Sequence, residues 1–193
     1  MLNRALLPAT LALALAGCVS LSPDPPESLL TLTAARTAPA GAALSGEAAN
    51  ALAVIEPAAD QRLNTVRIPV QVSDSDIAYL KDATWVEKPA RLFQRLLSET
   101  IRAGGTRLVV AEGDLGYTAA TKLSGRLLDM GYDAASDSVV VRYDAVLVTP
   151  DGKVRTRRFE SRMSDVEPKA AAVGPALNDA ANAVAGEVAD WVR

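Results

Sequence analysis

Three long stretches in the second half of the chain carry branched apolar residues at alternating positions, a pattern that is typical of β-strands. They cover residues 122–133, 138–149 and 153–164. The segment Pro150-Asp151-Gly152 is a strong turn signal between the last two, and residues 134–137 are a weaker one between the first two. The pattern therefore predicts three consecutive strands that pair antiparallel to one another as a meander.

Shorter apolar runs predict four more strands in the preceding part of the chain. The expected strands cover residues 28–34, 52–57, 65–72 and 107–111. In the third of these, four β-branched residues occupy every second position and are expected to share one face: Val66, Ile68, Val70 and Val72. Residues 35–50 are rich in alanine and glycine, and we predict that they form a loop.

Two segments change to helical spacing, with apolar residues three or four positions apart. The first covers residues 88–102, with Pro89 in its first turn and Gly104-Gly105 beyond its end. Its apolar stripe consists of Leu92, Phe93, Leu96, Leu97 and Ile101. In the second, Gly174-Pro175 either opens the helix or kinks a longer one that begins near Pro168. The stripe of this second helix consists of Leu177, Ala181, Val184, Val188 and Trp191.

These elements predict one α+β domain over residues 28–193, an antiparallel sheet with a mixed edge and two amphipathic helices packed on one of its faces. Small residues lie beside the apolar stripe of the second helix, namely Ala180, Ala183 and Ala185. They would allow the close approach of a second copy in a homo-oligomer. They are equally expected where a helix lies tightly on its own sheet, so both interpretations stay open.

The beginning of the chain has the layout of a secretory signal peptide over residues 1–17, with Arg4 ahead of a short apolar run. Its end, Leu15-Ala16-Gly17-Cys18, resembles the lipobox of bacterial lipoproteins, in which the cysteine is acylated and becomes the mature N-terminus. An ordinary signal peptide with an incidental cysteine is the alternative. Residues 18–27 are rich in proline and are expected to form a tether. Val19 follows the cysteine where an aspartate would favour retention in the inner membrane, so the resemblance implies an outer-membrane lipoprotein anchored through Cys18.

Composition excludes several classes of function. The 193 residues include no histidine and one cysteine, which excludes Ser-His-Asp and Cys-His nucleophiles and removes the commonest metal ligand. We find no phosphate-binding or dinucleotide-binding motif, and the formal net charge of −3 argues against a nucleic-acid partner. Asp74, Asp76 and Asp82 lack the glycine and terminal glutamate of a calcium loop and are predicted to lie in a solvated turn. We therefore expect no enzyme, no metal and no cofactor.

The segment over residues 76–97 combines Tyr79, Trp85, Pro89 and the apolar helix face, and the second predicted helix closes on Val188-Ala189-Asp190-Trp191. In the order of these features the chain resembles the ABC-type transport auxiliary lipoproteins, the family of the paraquat-inducible lipoprotein. The resemblance implies a non-catalytic part of a machine that moves lipids between two membranes. In such a machine an ATPase and a permease work with a periplasm-spanning MCE-domain protein, which the lipoprotein would dock at the outer membrane.

The predicted meander carries an excess of basic residues, which makes it the candidate docking surface. The cations are Arg126, Arg142, Lys153, Arg155, Arg157, Arg158 and Arg162. Lys153, Arg155 and Arg157 are expected to share one strand face and, with Arg158, to meet an acidic partner or lipid phosphates. Tyr79 and Trp85 are candidate docking residues as well. The alternatives are a solvated sheet face for the cations and core packing for the two aromatic rings.

A second function class shares the predicted anchor, tether and small α+β domain. It is a periplasmic lipoprotein that regulates another envelope machine, for example by activating a cell-wall synthase. A third class, an enzyme, would need a pair of carboxylates in a cleft with perturbed pKa values, and the sequence offers no such pair.

Overall fold

The computed structural model of the protein describes residues 28–111 and 119–193. The predicted signal peptide, the tether and Cys18 lie outside these described residues. The described part holds two α-helices, α1 (Pro89–Ala103) and α2 (Ala170–Trp191). Its strands are β1 (Leu52–Val54), β2 (Ala58–Ala59), β3 (Arg67–Gln71), β4 (Ile77–Thr84), β5 (Val109–Ala111), β6 (Thr121–Asp133), β7 (Ser138–Val148) and β8 (Val154–Met163).

The long strand β6 organises the sheet. One of its edges pairs antiparallel with β7, which in turn pairs antiparallel with β8, so the predicted meander is confirmed. The other edge of β6 pairs in parallel with β1, β2 and β3. Strand β5 then adds in parallel to β1, and β4 adds antiparallel to β3. The result is a mixed sheet of eight strands with β8 at one edge, which confirms the predicted α+β class.

Both helices cover one face of this sheet, and the core lies between the two layers. The predicted apolar stripe of α1 is buried along its whole length. Helix α2 runs through Pro175, so the longer of the two predicted helices is the one that forms. Phe93 of α1 meets Tyr143 of β7 edge to face, with ring centroids 5.2 Å apart. Of the three small residues beside the stripe of α2, Ala180 and Ala185 are fully buried against the protein's own core, which supports tight packing within the chain, whereas Ala183 is exposed.

The strand predicted over residues 28–34 does not form. Leu30 makes a single parallel bridge to Trp85, and the following residues lie along helix α2. There the backbone N–H groups of Thr33 and Ala35 donate to the side-chain Oδ1 atoms of Asn178 and Asn182, at 2.8 and 2.7 Å. The alternating segment therefore finds hydrogen-bond acceptors for its backbone in asparagine side chains of α2 and not in a neighbouring strand.

The predicted solvated turn is correct for Asp74 and Asp76, which are exposed in the bend between β3 and β4, and wrong for Asp82, which lies inside strand β4. The β3–β4 ladder shifts register between Arg67 and Pro69, and Asp82 has a positive φ of 53° within the extra residues of β4. Sequence alternation is lost in such a bulge, which hides the strand. The shared face predicted for residues 65–72 is also only partly right: Val66 and Val72 lie beyond the ends of β3 and are 37% and 50% exposed.

Candidate docking surface

The β7–β8 hairpin begins the basic surface with a tight turn. The N–H of Thr149 donates to the carbonyl of Lys153 at 3.0 Å, and Gly152 adopts a φ of 79°, a conformation that favours glycine. Lys153 lies in this turn and forms an ion pair with Asp151, with 2.6 Å between Nζ and Oδ2. Hydrogen bonds from Lys153 and from the Thr149 hydroxyl lower the pKa of Asp151. Asp151 thus balances the charge of Lys153 within the turn.

Strand β8 divides its arginines between the two faces of the sheet. Arg155 and Arg157 lie opposite Leu147 and Ala145, on the face that carries the helices. Arg158 lies on the other face, opposite Asp144. The predicted shared face of Lys153, Arg155 and Arg157 is therefore correct for the two arginines, whereas Lys153 lies in the turn before β8 begins. Arg158, however, belongs to a different surface from the one they form.

Arg155 and Arg157 cover aromatic rings at the end of the helix layer. The guanidinium carbon of Arg155 lies 4.8 Å from the centroid of the Trp191 ring, and that of Arg157 lies 4.8 Å from the Phe159 ring. The two rings meet edge to face at 5.7 Å. We call these four residues the arginine–aromatic cluster. Within the described residues, no carboxylate lies within ion-pair distance of either arginine.

The sequence pattern did not identify Trp191 as part of this cluster, because its helical spacing assigned it to the core stripe. It is only partly buried, since α2 ends there and leaves the ring at the rim of the core. Each arginine–ring contact at such an exposed place is worth about 0.5–1 kcal/mol. The rings therefore orient the guanidinium groups while leaving most of their N–H donors free.

The opposite face of the sheet carries cations whose charges are balanced within the protein. Arg158 holds Asp144 with two hydrogen bonds of 2.6 and 2.7 Å. Arg142 joins Asp129 and Glu160, each at 2.6 Å. These hydrogen bonds lower the pKa values of Asp144 and Glu160, and the effect outweighs the opposing effect of burial. Arg158 is therefore engaged in a bidentate pair and offers less to a partner than was predicted.

A cavity of about 330 Å³ opens on the same face, lined in part by Arg62, Gln71, Asp129, Asp133 and Arg162. Asp129 accepts a hydrogen bond from Arg62, and Asp133 is paired with Arg162 at 3.0 Å. Hydrogen bonds from Ser136 and Arg162 lower the pKa of Asp133, which opposes a role as proton donor near neutral pH. In residues 28–111 and 119–193, no cluster of three potential metal-ligating side chains occurs.

Tyr79 and Trp85 lie far across the sheet from β8, at the β4 edge. Trp85 is 1% exposed, so core packing, the alternative given above, describes it, and its ring is not available to a partner. Tyr79 is half-buried beneath Arg67, whose guanidinium carbon lies 4.3 Å from the ring centroid. The structure therefore separates the six predicted docking residues, and only Arg155 and Arg157 combine exposure with a charge that no described carboxylate balances.

A second concave surface is apolar and lies at the C-terminal end of α1. This cleft of about 470 Å³ is lined largely by small residues of the loop over residues 38–44 and by Leu108 and Val109. Glu99 holds the loop in place by accepting the N–H of Ala38 at 2.7 Å. The one charged side chain in its lining, Arg102, is paired with Glu99 at 3.0 Å, so the cleft has no free charge with which to attract an ionic partner.

Among the described helices, none is long and apolar enough to span a bilayer.

Two solved structures share this fold at low sequence identity. A protein from Xanthomonas campestris assigned to family DUF330 is 18% identical with a TM-score of 0.70, covering 86% of this chain and 94% of that one. An uncharacterised protein is 12% identical with a TM-score of 0.66, covering 86% and 100%. The PelC dodecamer from Paraburkholderia phytofirmans is more distant, with 18% identity, a TM-score of 0.43 and coverage of 78% and 92%.

A search of curated proteins finds no significant match. The family model for the ABC-type transport auxiliary lipoprotein component, in contrast, matches residues 30–189. This range begins at the Leu30 bridge to Trp85 and ends within the last turn of α2, so it covers the sheet and both helices. The chain belongs to the ABC-type transport auxiliary lipoprotein family.

Proposed function

We propose that the protein is a non-catalytic outer-membrane lipoprotein of an MCE-type ABC lipid transport system, where it docks the periplasm-spanning MCE protein. The observation that carries this proposal is the family match over residues 30–189. The arginine–aromatic cluster supports a docking role, since Arg155 and Arg157 are exposed and lack a described carboxylate partner. The paired carboxylates in the cavity on the opposite face favour a structural role there over catalysis.

The proposed anchor is Cys18. Two or three acyl chains on this residue would hold the protein firmly, because each buried methylene contributes about 0.8 kcal/mol. Residues 18–27 would then connect the bilayer to the folded domain, and ten extended residues span at most roughly 33–36 Å. A docking surface on the domain would thus work within a few nanometres of the membrane that carries the anchor.

Copurification tests the docking role. The full-length lipidated protein is coexpressed with the MCE protein, permease and ATPase of the same organism, and the complex is isolated through a tag on the MCE protein. We expect the lipoprotein to be retained, and retention to fall at least tenfold for the double variant Arg155→Glu/Arg157→Glu. The matched control is Arg91→Glu/Arg95→Glu, which makes the same charge change at two exposed arginines of α1.

Two outcomes would contradict the proposal. The first is an unmodified lipoprotein that is not retained with the MCE protein. The second is copurification with a cell-wall synthase instead, which would favour the regulator of another envelope machine. Equal loss of retention in the α1 control would show that net charge, and not this surface, is responsible.

Fractionation tests the anchor and the location separately. Cys18→Ala is expected to leave the protein uncleaved or soluble, whereas the unmodified protein should fractionate with the outer membrane after carbonate washing. A Cys18→Ala variant that still fractionates with the outer membrane would contradict lipid anchoring at this residue.

A further inference from the structure

Strand β8 forms a long open edge of the sheet. Its ten residues pair with β7 from Val148–Val154 to Val139–Met163 without a register shift. On its other side, no strand of residues 28–111 or 119–193 pairs with it. All of its residues are exposed except Phe159, Ser161 and Met163. A regular edge of this length presents unpaired N–H and C=O groups to any extended chain that lies beside it.

The hydrogen bond at the turn shows which backbone groups point outward. In an antiparallel pair, hydrogen-bonded and non-hydrogen-bonded residue pairs alternate. Because the N–H of Thr149 donates to Lys153, the next bonded pairs are Leu147 with Arg155 and Ala145 with Arg157. The residues between them turn their backbone N–H and C=O groups away from β7. The outward groups therefore belong to Val154, Thr156, Arg158, Glu160 and Arg162.

The side chains of β8 decide what kind of chain this edge accepts. The strand contains four arginines and one glutamate. A second copy pairing through the same strand would place cationic rows side by side, which is unfavourable. Strand β4, another outer strand of the sheet, is no better match, because it bulges and carries Lys81 beside Asp82. An acidic extended segment complements the edge instead.

We propose that the β8 edge accepts an acidic extended segment of another polypeptide by strand addition, with two carboxylates spaced two residues apart meeting Arg155 and Arg157. This inference rests on the docking role proposed above and specifies how docking occurs. Main-chain hydrogen bonds to the outward groups provide affinity in strand addition, and side chains at alternate positions provide specificity. Carboxylates two residues apart lie on the same face of the added strand, as Arg155 and Arg157 do on β8.

The arginine–aromatic cluster prepares the two cations for this contact. Arg155 is held over Trp191 at 4.8 Å and its Nη2 lies 3.4 Å from the Trp191 carbonyl oxygen, while Arg157 rests on Phe159. A planar guanidinium can bind a carboxylate through two parallel hydrogen bonds, which a lysine ammonium cannot do. Replacement of both arginines by lysine is therefore expected to keep the charge and lose most of the affinity.

A peptide-binding experiment tests the inference on the full-length lipidated protein in detergent. The probe is a labelled eight-residue peptide of alternating threonine and glutamate with both termini capped, and anisotropy reports binding. One control peptide has the same composition with its four glutamates contiguous, and another replaces each glutamate with lysine. We expect the alternating acidic peptide to bind at least tenfold more tightly than either control. Arg155→Glu/Arg157→Glu should reverse the preference towards the lysine peptide.

A proline substitution tests the backbone contribution. Thr156→Pro removes an N–H that points away from β7, a place where edge strands tolerate proline. Binding is expected to weaken at least tenfold while the unfolding temperature stays within a few degrees of the unmodified protein. Equal affinity in Thr156→Pro, or equal binding of the alternating and contiguous acidic peptides, would overturn strand addition and leave only attraction between charges.

Further measurements separate the other possible occupants. Displacement of the peptide by vesicles containing anionic phospholipid, at concentrations where neutral vesicles have no effect, would assign the surface to lipid headgroups and overturn the inference. Light scattering that shows an oligomer dissociating as the peptide binds would assign the edge to a second copy, with the same consequence. If the peptide fails to bind while the MCE protein still retains the lipoprotein, strand addition is wrong and the docking role stands.

Discussion

Two adjacent arginines of strand β8 have their guanidinium groups in different electrostatic environments. Arg158 points to the face of the sheet opposite the helices, called the open face below, where Asp144 holds it with two hydrogen bonds of 2.6 and 2.7 Å. Arg157 points to the helix face, where the described residues offer it the Phe159 ring and no carboxylate. The charge of Arg158 on the open face is thus balanced by a carboxylate of the protein, whereas the charge of Arg157 on the helix face is available to a binding partner.

This difference explains why a basic meander is not a docking surface over its whole area. The cations of the open face stabilise or orient neighbouring carboxylates, as Arg142 does between Asp129 and Glu160. An external acid would have to displace these existing partners. Arg155 and Arg157 need no such exchange, so an incoming carboxylate gains a charge-assisted hydrogen bond without breaking one.

The largest effect should come from removing the base of the arginine–aromatic cluster. Phe159 is 1% exposed and packs edge to face on Trp191. Phe159→Ala leaves a cavity between β8 and α2, and we expect it to lower the free energy of unfolding by about 3–5 kcal/mol. Urea unfolding followed by circular dichroism measures this change. A loss below about 1 kcal/mol would show that the cluster is not part of the core, and Phe159→Leu serves as the milder control.

Two neighbouring proline variants should separate the inner from the outer side of β8. Arg157→Pro removes an N–H that the ladder register assigns to the carbonyl of Ala145, and because Ala145 is buried this carbonyl is left without a donor. We expect a cost of about 1–3 kcal/mol, the price of an unsatisfied group. Thr156→Pro should cost clearly less, because its N–H faces outward. Chemical denaturation of both variants decides the matter, and equal costs would show that the assigned ladder register is wrong.

Much of the fold could be predicted because its long elements have unambiguous periods. The three meander strands and α1 were found within one or two residues of their observed ends. The period of the sequence pattern did not predict the structure correctly where side chains replace the neighbouring strand as hydrogen-bond partners. The segment after Ser28 alternates like a strand, yet the asparagine side chains of α2 satisfy its backbone N–H groups, and this requires two residues nearly 150 positions away.

The candidate site was predictable in its residue types and not in its geometry. A count of basic residues marks the meander, but only the register between β7 and β8 shows that Arg158 faces Asp144 while Arg157 faces Phe159. Trp191 was assigned to a core stripe by its helical spacing. Its partial exposure depends on where α2 ends relative to β8, which is a tertiary property that spacing does not contain.

The ion pairs of the open face should also contribute a pH-dependent part of the free energy of unfolding, which the arginine–aromatic cluster lacks. The hydrogen bond from Arg142 lowers the pKa of Glu160 in the folded protein. A carboxylate with a lowered folded pKa contributes stability above its unfolded pKa of about 4.3 and loses that contribution as the pH falls below it. Glu160→Gln should therefore reduce stability slightly at pH 7, by less than about 1 kcal/mol for such a partly exposed pair, and make no difference near pH 2. Urea midpoints measured between pH 2 and 7 test this, and a variant whose deficit persists in acid would contradict the ion-pair explanation.

The smallest effect, and the one that compares the two settings most directly, is expected from Arg157→Gln and Arg158→Gln. Loss of the Arg157 contact with Phe159 should cost at most about 0.5–1 kcal/mol, since the arginine is exposed. Its cost should change little with salt, because no described carboxylate lies within ion-pair distance. Arg158→Gln instead removes the partner of Asp144, and its effect should shrink as salt rises to 1 M, where screening acts over about 3 Å. Thermal unfolding of both variants at low and high salt measures the contrast. The same salt response in both would mean that Arg157 has an ionic partner after all, and that its charge is not free for an incoming carboxylate.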